Sequence, residues 1–212
     1  MNIENNLYAL KNSIPDYVNI VAVSKTKPIN DLINAYKAGQ RIFGENKVQE
    51  MVTKSEKLPK DIEWHMIGHL QTNKVKYMAS FVNTIHSVDS YKLLKEIQKQ
   101  AFKNNRKIKC LIQIRIANEE TKFGIEPSEL SDFLNFSKTL PNLKIAGLMG
   151  MASFTNDKNQ IRNEFRILSN LYNDFSNLEI LSMGMSGDYE IAVEEGSTMI
   201  RIGSKIFGER NY

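Results

Sequence analysis

The chain has 212 residues, 42% hydrophobic and 25% charged, a balance that excludes wholesale disorder and suits a folded domain with a sizeable core. Its 28 basic and 24 acidic residues leave a mild net charge of +4, too small to define a nucleic-acid-binding protein by itself. No apolar run reaches the roughly 20 residues of a membrane-crossing helix, the start MNIENNLYALKNSIPDY does not read as a signal peptide, and the lone Cys110 excludes an intrachain disulfide framework. A cytosolic, single-domain protein over 1–212 is the expectation.

In chain order, short β-rich runs alternate with helical patterns. The expected strands are 18–24, 41–43, 62–68, 84–88, 109–116, 144–151, 179–185 and 198–203. A helix is expected over 29–39, where Leu32, Ile33, Ala35 and Tyr36 share a face and Gly39 suits a left-handed cap. A second runs over 90–103, capped by Asp89 or Ser90, and a third over 126–140 carries Pro127 at its first position. A fourth, 160–175, repeats Ile161, Phe165, Leu168, Leu171 and Tyr172 at helical spacing. Eight strands with helices between them predict an α/β fold, a closed (β/α)8 barrel, with an open doubly wound sheet as the alternative.

Residues 71–110 concentrate positive charge, with nine Lys or Arg against Asp89 and Glu96. Lys92, Lys95, Lys99 and Lys103 recur every three or four residues beside Leu93, Leu94 and Ile97. That is the pattern of a solvated helix face rather than of a nucleic-acid surface, which would call for aromatic residues among the cations.

A barrel places its chemistry at the C-terminal strand ends, with phosphate commonly held after strands seven and eight. There the chain reads SMGMSGD (182–188) and RIGSKIFGE (201–209), loops whose Ser182, Ser186, Gly203 and Ser204 offer hydroxyl and backbone donors. Lys25 ends the first apolar strand and projects from the barrel mouth. Desolvation and cations such as Arg201 and Lys27 favour its neutral amine, which can form a Schiff base with an aldehyde. An aldehyde joined to a phosphate describes pyridoxal 5′-phosphate. Glu45 and Asn46 follow strand two, and His65, His69, Gln71 and Asn73 belong to or follow strand three. His65 and His69 lack a third ligand at a diagnostic spacing, so no metal site is expected. His65 suits packing against a planar ring, and His86 reads equally as structural or functional.

The runs AVSKTKP, FGENKVQE, WHMIGHLQTNK, IHSVDS, NEETKFG, GLMGMAS and SMGMSGDYEIAVEEGSTMIRIGSKIFGER carry a resemblance to the pyridoxal phosphate homeostasis proteins. That family looks like the barrel half of alanine racemase, the fold type III arrangement of pyridoxal phosphate proteins. Met66, Arg115 and the wording of GLMGMAS depart slightly from the usual pattern; Arg115 stands where Asn is usual. The resemblance implies that Lys25 is the internal aldimine lysine and that Ser182, Ser186 and the Gly203 backbone hold the phosphate. It also implies that Arg201 approaches the pyridine nitrogen, with Asn46 and His65 near the ring and Lys122 a secondary amine rather than a catalytic group.

A guanidinium cannot accept a proton, so Arg201 favours an unprotonated ring and a poor carbanion sink. About ten residues follow strand eight, leaving no second domain to supply a racemase's other base, and the expectation is a monomer. A non-catalytic carrier and buffer of pyridoxal phosphate, passing it to apo-enzymes that use it, is therefore expected. A pyridoxal-dependent racemase or lyase is the first alternative. A phosphosugar aldolase-type barrel on Lys25 and a nucleic-acid-binding module are the others.

Overall fold

A computed structural model describes residues 2–117 and 123–209. Eight parallel strands close into a barrel in sequential order, with the last strand paired to the first. They are β1 (Asn19–Val23), β2 (Ile42–Glu45), β3 (Glu63–Met66), β4 (Thr84–Val88), β5 (Ile108–Gln113), β6 (Leu143–Met149), β7 (Ile180–Ser182) and β8 (Met199–Ile202). The doubly wound alternative is excluded by the β1–β8 pairing, Asn19 to Met199 through Ala22 to Ile202.

The helices are α1 (Ile3–Asn12), α2 (Ile29–Lys37), α3 (Val48–Lys57), α4 (Tyr91–Lys103), α5 (Leu130–Ser137), α6 (Lys158–Asn173), α7 (Tyr189–Glu194) and α8 (Ser204–Phe207). Their ends follow local chemistry. The Ser90 hydroxyl accepts the Leu93 N–H at the start of α4, Asp157 accepts from Asn159 and Gln160 at α6, and Gly39 just past α2 takes φ +88°. Pro127 opens a 3-10 turn, Pro127–Glu129, that leads into α5. A second 3-10 turn, Thr72–Tyr77, links β3 to β4 where the others use helices. Lys92, Lys95, Lys99 and Lys103 are exposed while Leu93, Leu94 and Ile97 are buried, so the basic stretch of α4 is a solvated face.

The main apolar core lies between sheet and helices, joining Leu32, Met51, Leu94, Phe133, Phe165 and Leu168 to strand residues such as Phe43, Ile85 and Ile112. A separate small cluster, Leu111, Ala146 and Met149, uses the opposite face of β5 and β6. Cys110 belongs to the outer core, and burial pushes its thiol up to about 12, which leaves it unreactive in the folded state. No helix among the described residues is long and apolar enough to cross a membrane.

Candidate functional site

The C-terminal ends of the strands surround a cavity of about 530 Å³, within the range of small-molecule sites. Strand alternation accounts for its walls. Glu45 turns outward toward α3, so its neighbour Asn46 turns in; Ser24 is packed away and Lys25 opens into the cavity. Met151 to Asn156 form the rim after β6, and Met185 to Asp188 the rim after β7. The rim after β6 is held down by Glu164 of α6, whose carboxylate accepts both the Ser153 N–H (2.6 Å) and its hydroxyl (2.7 Å).

Of the residues singled out from sequence, Lys25, Asn46, Ser186, Arg201 and Gly203 all line this cavity. The Gly203 N–H donates to the Ser186 hydroxyl at 3.2 Å, which joins the turns after β7 and β8 into one polar edge with Ser204. Gly68 makes room for Asn46: a Cβ there would lie 2.5 Å from the Asn46 carbonyl oxygen. Lys27 also reaches the wall, but its ammonium donates to the carbonyls of Phe207, Gly208 and Glu209 at 2.9–3.1 Å and so fastens the end of α8.

Ser182 and His65 do not line the cavity; both are buried inside the barrel beneath it. This placement is at odds with Ser182 as a phosphate donor, because the residue is fully buried away from the cavity wall and its hydroxyl is engaged there. Arg201 Nη1 donates to Ser182 Oγ (2.7 Å) and to its carbonyl (2.9 Å), while Nη2 donates to the Gly150 carbonyl (3.0 Å). Ser182 Oγ lies 3.2 Å from His86 Nδ1, and His86 Nε2 lies 2.9 Å from His65 Nδ1. The guanidinium can only donate, so the Ser182 proton goes to His86 and the His86 proton to His65. That order leaves a single unpaired group, the buried N–H at His65 Nε2; the reverse order would leave two. Burial lowers Arg201 to about 10, still cationic near neutrality.

Burial likewise keeps both imidazoles neutral: His65 falls to about 3, and His86 falls well below its ordinary range through burial, His65 and Arg201. Between pH 6.5 and about 3 the unfolded chain binds a proton that folded His65 does not. Stability is therefore complete above pH 6.5 and is lost as the pH drops through that window, by about 2 kcal/mol at pH 5 from this group alone. Urea midpoints at pH 7 and pH 5 should show this loss in the wild type and a clearly smaller one in His65→Gln. Equal losses in both would remove His65 from the account.

His69 lies elsewhere, stacked on Phe123 with ring centroids 3.8 Å apart and 3.4 Å from Asp89, and no group of three or more metal-binding side chains occurs among the described residues. Arg115 pairs with Glu126. Lys122 lies outside the described residues. Sequence reasoning passed over Lys54, Glu50 and Asp188. Lys54 looks like any surface lysine of α3, yet it is buried in an ion pair with Glu45 at 2.8 Å. The Asp188 carboxylate accepts the Met185 N–H and closes the turn after β7.

Comparison with known proteins agrees with this geometry. The sequence pattern described as "Alanine racemase, N-terminal domain" matches residues 1–211. A pyridoxal phosphate homeostasis protein of Aquifex aeolicus is 44% identical over 199 residues, covering 91% of this chain and 87% of the relative. The structure of PipY from Synechococcus elongatus with PLP bound superposes with a TM-score of 0.87 at 35% identity, covering 97% of this chain and all of PipY. Alanine racemase of Clostridium difficile shares the fold (TM-score 0.82, 14% identity), and this chain spans 57% of its length. The chain thus belongs to the alanine racemase N-terminal domain family and, within it, to the pyridoxal phosphate homeostasis proteins.

Proposed function

We propose that this chain binds pyridoxal 5′-phosphate in the cavity at the barrel mouth and carries and buffers it, serving homeostasis of the cofactor. The observation that carries the reading is the convergence of one lysine amine, Lys25, with the joined Ser186–Gly203–Ser204 edge and the Arg201 cation in a single cavity. The donor set fits the group. Hydroxyls and backbone N–H groups suit a phosphate, Met151, Ile67 and Val23 present apolar surface to a ring, and Lys25 provides the nucleophile. The names and structures of the relatives support the same reading.

Bound there, pyridoxal phosphate supplies an aldehyde that condenses with a neutral amine, with loss of water. The chain's own residues then do the rest. Ser186, Ser204 and the Gly203 backbone hold the anionic tail. Asn46 and the apolar wall orient the ring, and Arg201, fixed on Ser182 and Gly150, presents a permanent donor at the cavity floor. His65 acts below that floor, through His86 and Ser182, to keep Arg201 in place. In this reading the protein is a cytoplasmic monomer without a catalytic residue, and its partners are apo-enzymes that take up the cofactor; neither nucleic acid nor membrane is a partner.

Titration with pyridoxal phosphate followed by absorbance tests it, with borohydride reduction and peptide mapping to locate the label. One equivalent, reduced onto Lys25, is the expected result. A label spread over surface lysines in proportion to exposure would sink the reading.

A further inference from the structure

Lys25 stands between two residues whose backbone is tied from one buried cluster. On its N-terminal side Ser24 is fully buried; its N–H donates to the Gly44 carbonyl (3.0 Å) and its hydroxyl to Glu45 Oε1 (2.7 Å). The Ser24 carbonyl accepts from Lys54 Nζ at 2.7 Å. Lys54 also donates to Glu45 Oε1 (2.8 Å) and Glu50 Oε1 (2.7 Å), which uses all three ammonium protons. On the other side of Lys25, the same Glu50 oxygen accepts the Thr26 N–H at 2.7 Å.

Thr26 has φ +66°, a left-handed conformation that β-branched residues avoid. Only Thr26 and Asn105 among the described non-glycine residues have positive φ. Such strain persists where the surroundings over-determine it, and here Glu50 holds the peptide nitrogen of the strained residue itself. The cluster is costly as well: Glu45 is fully buried and its Oε2 has no hydrogen-bond partner. A buried ion pair adds little stability over apolar side chains of the same volume, so stability alone does not account for it. None of the three charged residues lines the cavity.

We infer that Lys54, Glu45 and Glu50 are positioning residues, which clamp the backbone on both sides of Lys25 in a left-handed turn and so keep its amine aimed across the cavity for capture of an aldehyde. This rests on the reading of Lys25 given above. In the step concerned, the lysine nitrogen lone pair attacks the aldehyde carbon. A carbon–nitrogen double bond forms, and the carbonyl oxygen leaves as water with the two amine protons, so no oxidant or reductant is needed. Holding the amine in one orientation raises its effective concentration at the carbonyl.

The test compares two ligands, pyridoxal 5′-phosphate and pyridoxine 5′-phosphate, which lacks the aldehyde and reports binding without capture. Glu50→Ala releases the Thr26 N–H and one Lys54 ammonium proton at a partly exposed position, while Lys54 keeps Glu45 and the Ser24 carbonyl, so the fold is kept. Its capture rate is expected to fall about tenfold, with pyridoxine phosphate affinity within about twofold of wild type. Adding Thr26→Gly should bring capture back to within about threefold of wild type, because glycine takes positive φ without penalty. A merely structural role predicts no rescue. Lys54→Met with Glu45→Gln removes both buried charges together, which avoids stranding either one, and should slow capture in the same way.

Capture at the wild-type rate in both Glu50→Ala and the Lys54/Glu45 variant, absence of rescue by glycine, or equal weakening of both ligands would overturn the inference. Wild-type protein that binds both phosphates but leaves no label on Lys25 would instead overturn the functional reading itself.

Discussion

Lys25→Ala should abolish covalent capture of pyridoxal phosphate and weaken its binding by about 100-fold, equivalent to about 2.7 kcal/mol. The polar edge at Ser186, Gly203 and Ser204 remains in that variant, so the phosphate still finds its donors and binding is reduced rather than lost. The apolar core is untouched by the change, because Lys25 lines the cavity and is not among the packed core residues. Among the described residues, the other lysine that lines the cavity is Lys27. Its ammonium is held by three carbonyls at the end of α8, so it should not take over the label. Borohydride reduction followed by peptide mapping decides the matter: an undiminished label moved onto Lys27 would show that Lys25 had been wrongly assigned.

The largest effect on stability should come from Gly147→Ala, a single methyl placed where β6 and β7 come together. A Cβ at Gly147 would lie 1.8 Å from the Ile180 carbonyl oxygen and 2.6 Å from its carbonyl carbon. Both are backbone atoms of the paired strand, so no side-chain rotation gives relief. The strands would have to separate, disturbing the Gly147–Ile180, Leu148–Leu181 and Met149–Ser182 pairs and the hydrogen bonds Glu179 N–H to Ala146 (2.8 Å) and Gly150 N–H to Ser182 (3.1 Å). Ser182 anchors Arg201, so the cavity floor would move too. A loss of more than about 4 kcal/mol is expected, about 8–16 °C in melting temperature for a chain of this size. Gly187→Ala is the matched control, since a Cβ there meets nothing within 4 Å and should leave the transition unchanged. Thermal unfolding followed by circular dichroism separates the two; a wild-type melting temperature for Gly147→Ala would show that the close approach is dispensable.

All eight strands were legible from apolar, β-rich runs, each within about three residues of its observed ends. The (β/α)8 order followed from their number and spacing. Of the four helices given no range from sequence, α1 and α3 are the longest. In α3 the buried set is Val48, Met51 and Lys54, so one of its core-facing positions is a lysine that periodicity counts as polar. In α1 the pattern Ile3, Leu7 and Leu10 is diluted by asparagines, and its burial depends on packing against α2 and α8.

By itself, then, the amino-acid order determined the repeating β/α rhythm, the lysine at the first strand end and the serine- and glycine-bearing turns after the last two strands. These are local features, set by side-chain periodicity and turn chemistry. Only the tertiary structure decided which of two serines four residues apart lines the cavity. β7 ends at Ser182 inside the barrel, and the chain turns at Gly184, with φ +96°, before Ser186 reaches the cavity wall. It also decided that His65, His86, Ser182 and Arg201, drawn from four strands, form one hydrogen-bonded chain, and that Lys54 and Glu50 reach the residues flanking Lys25. The physical reason is that barrel closure, not sequence proximity, sets those distances, and a polar side chain takes its role from the buried partner it meets.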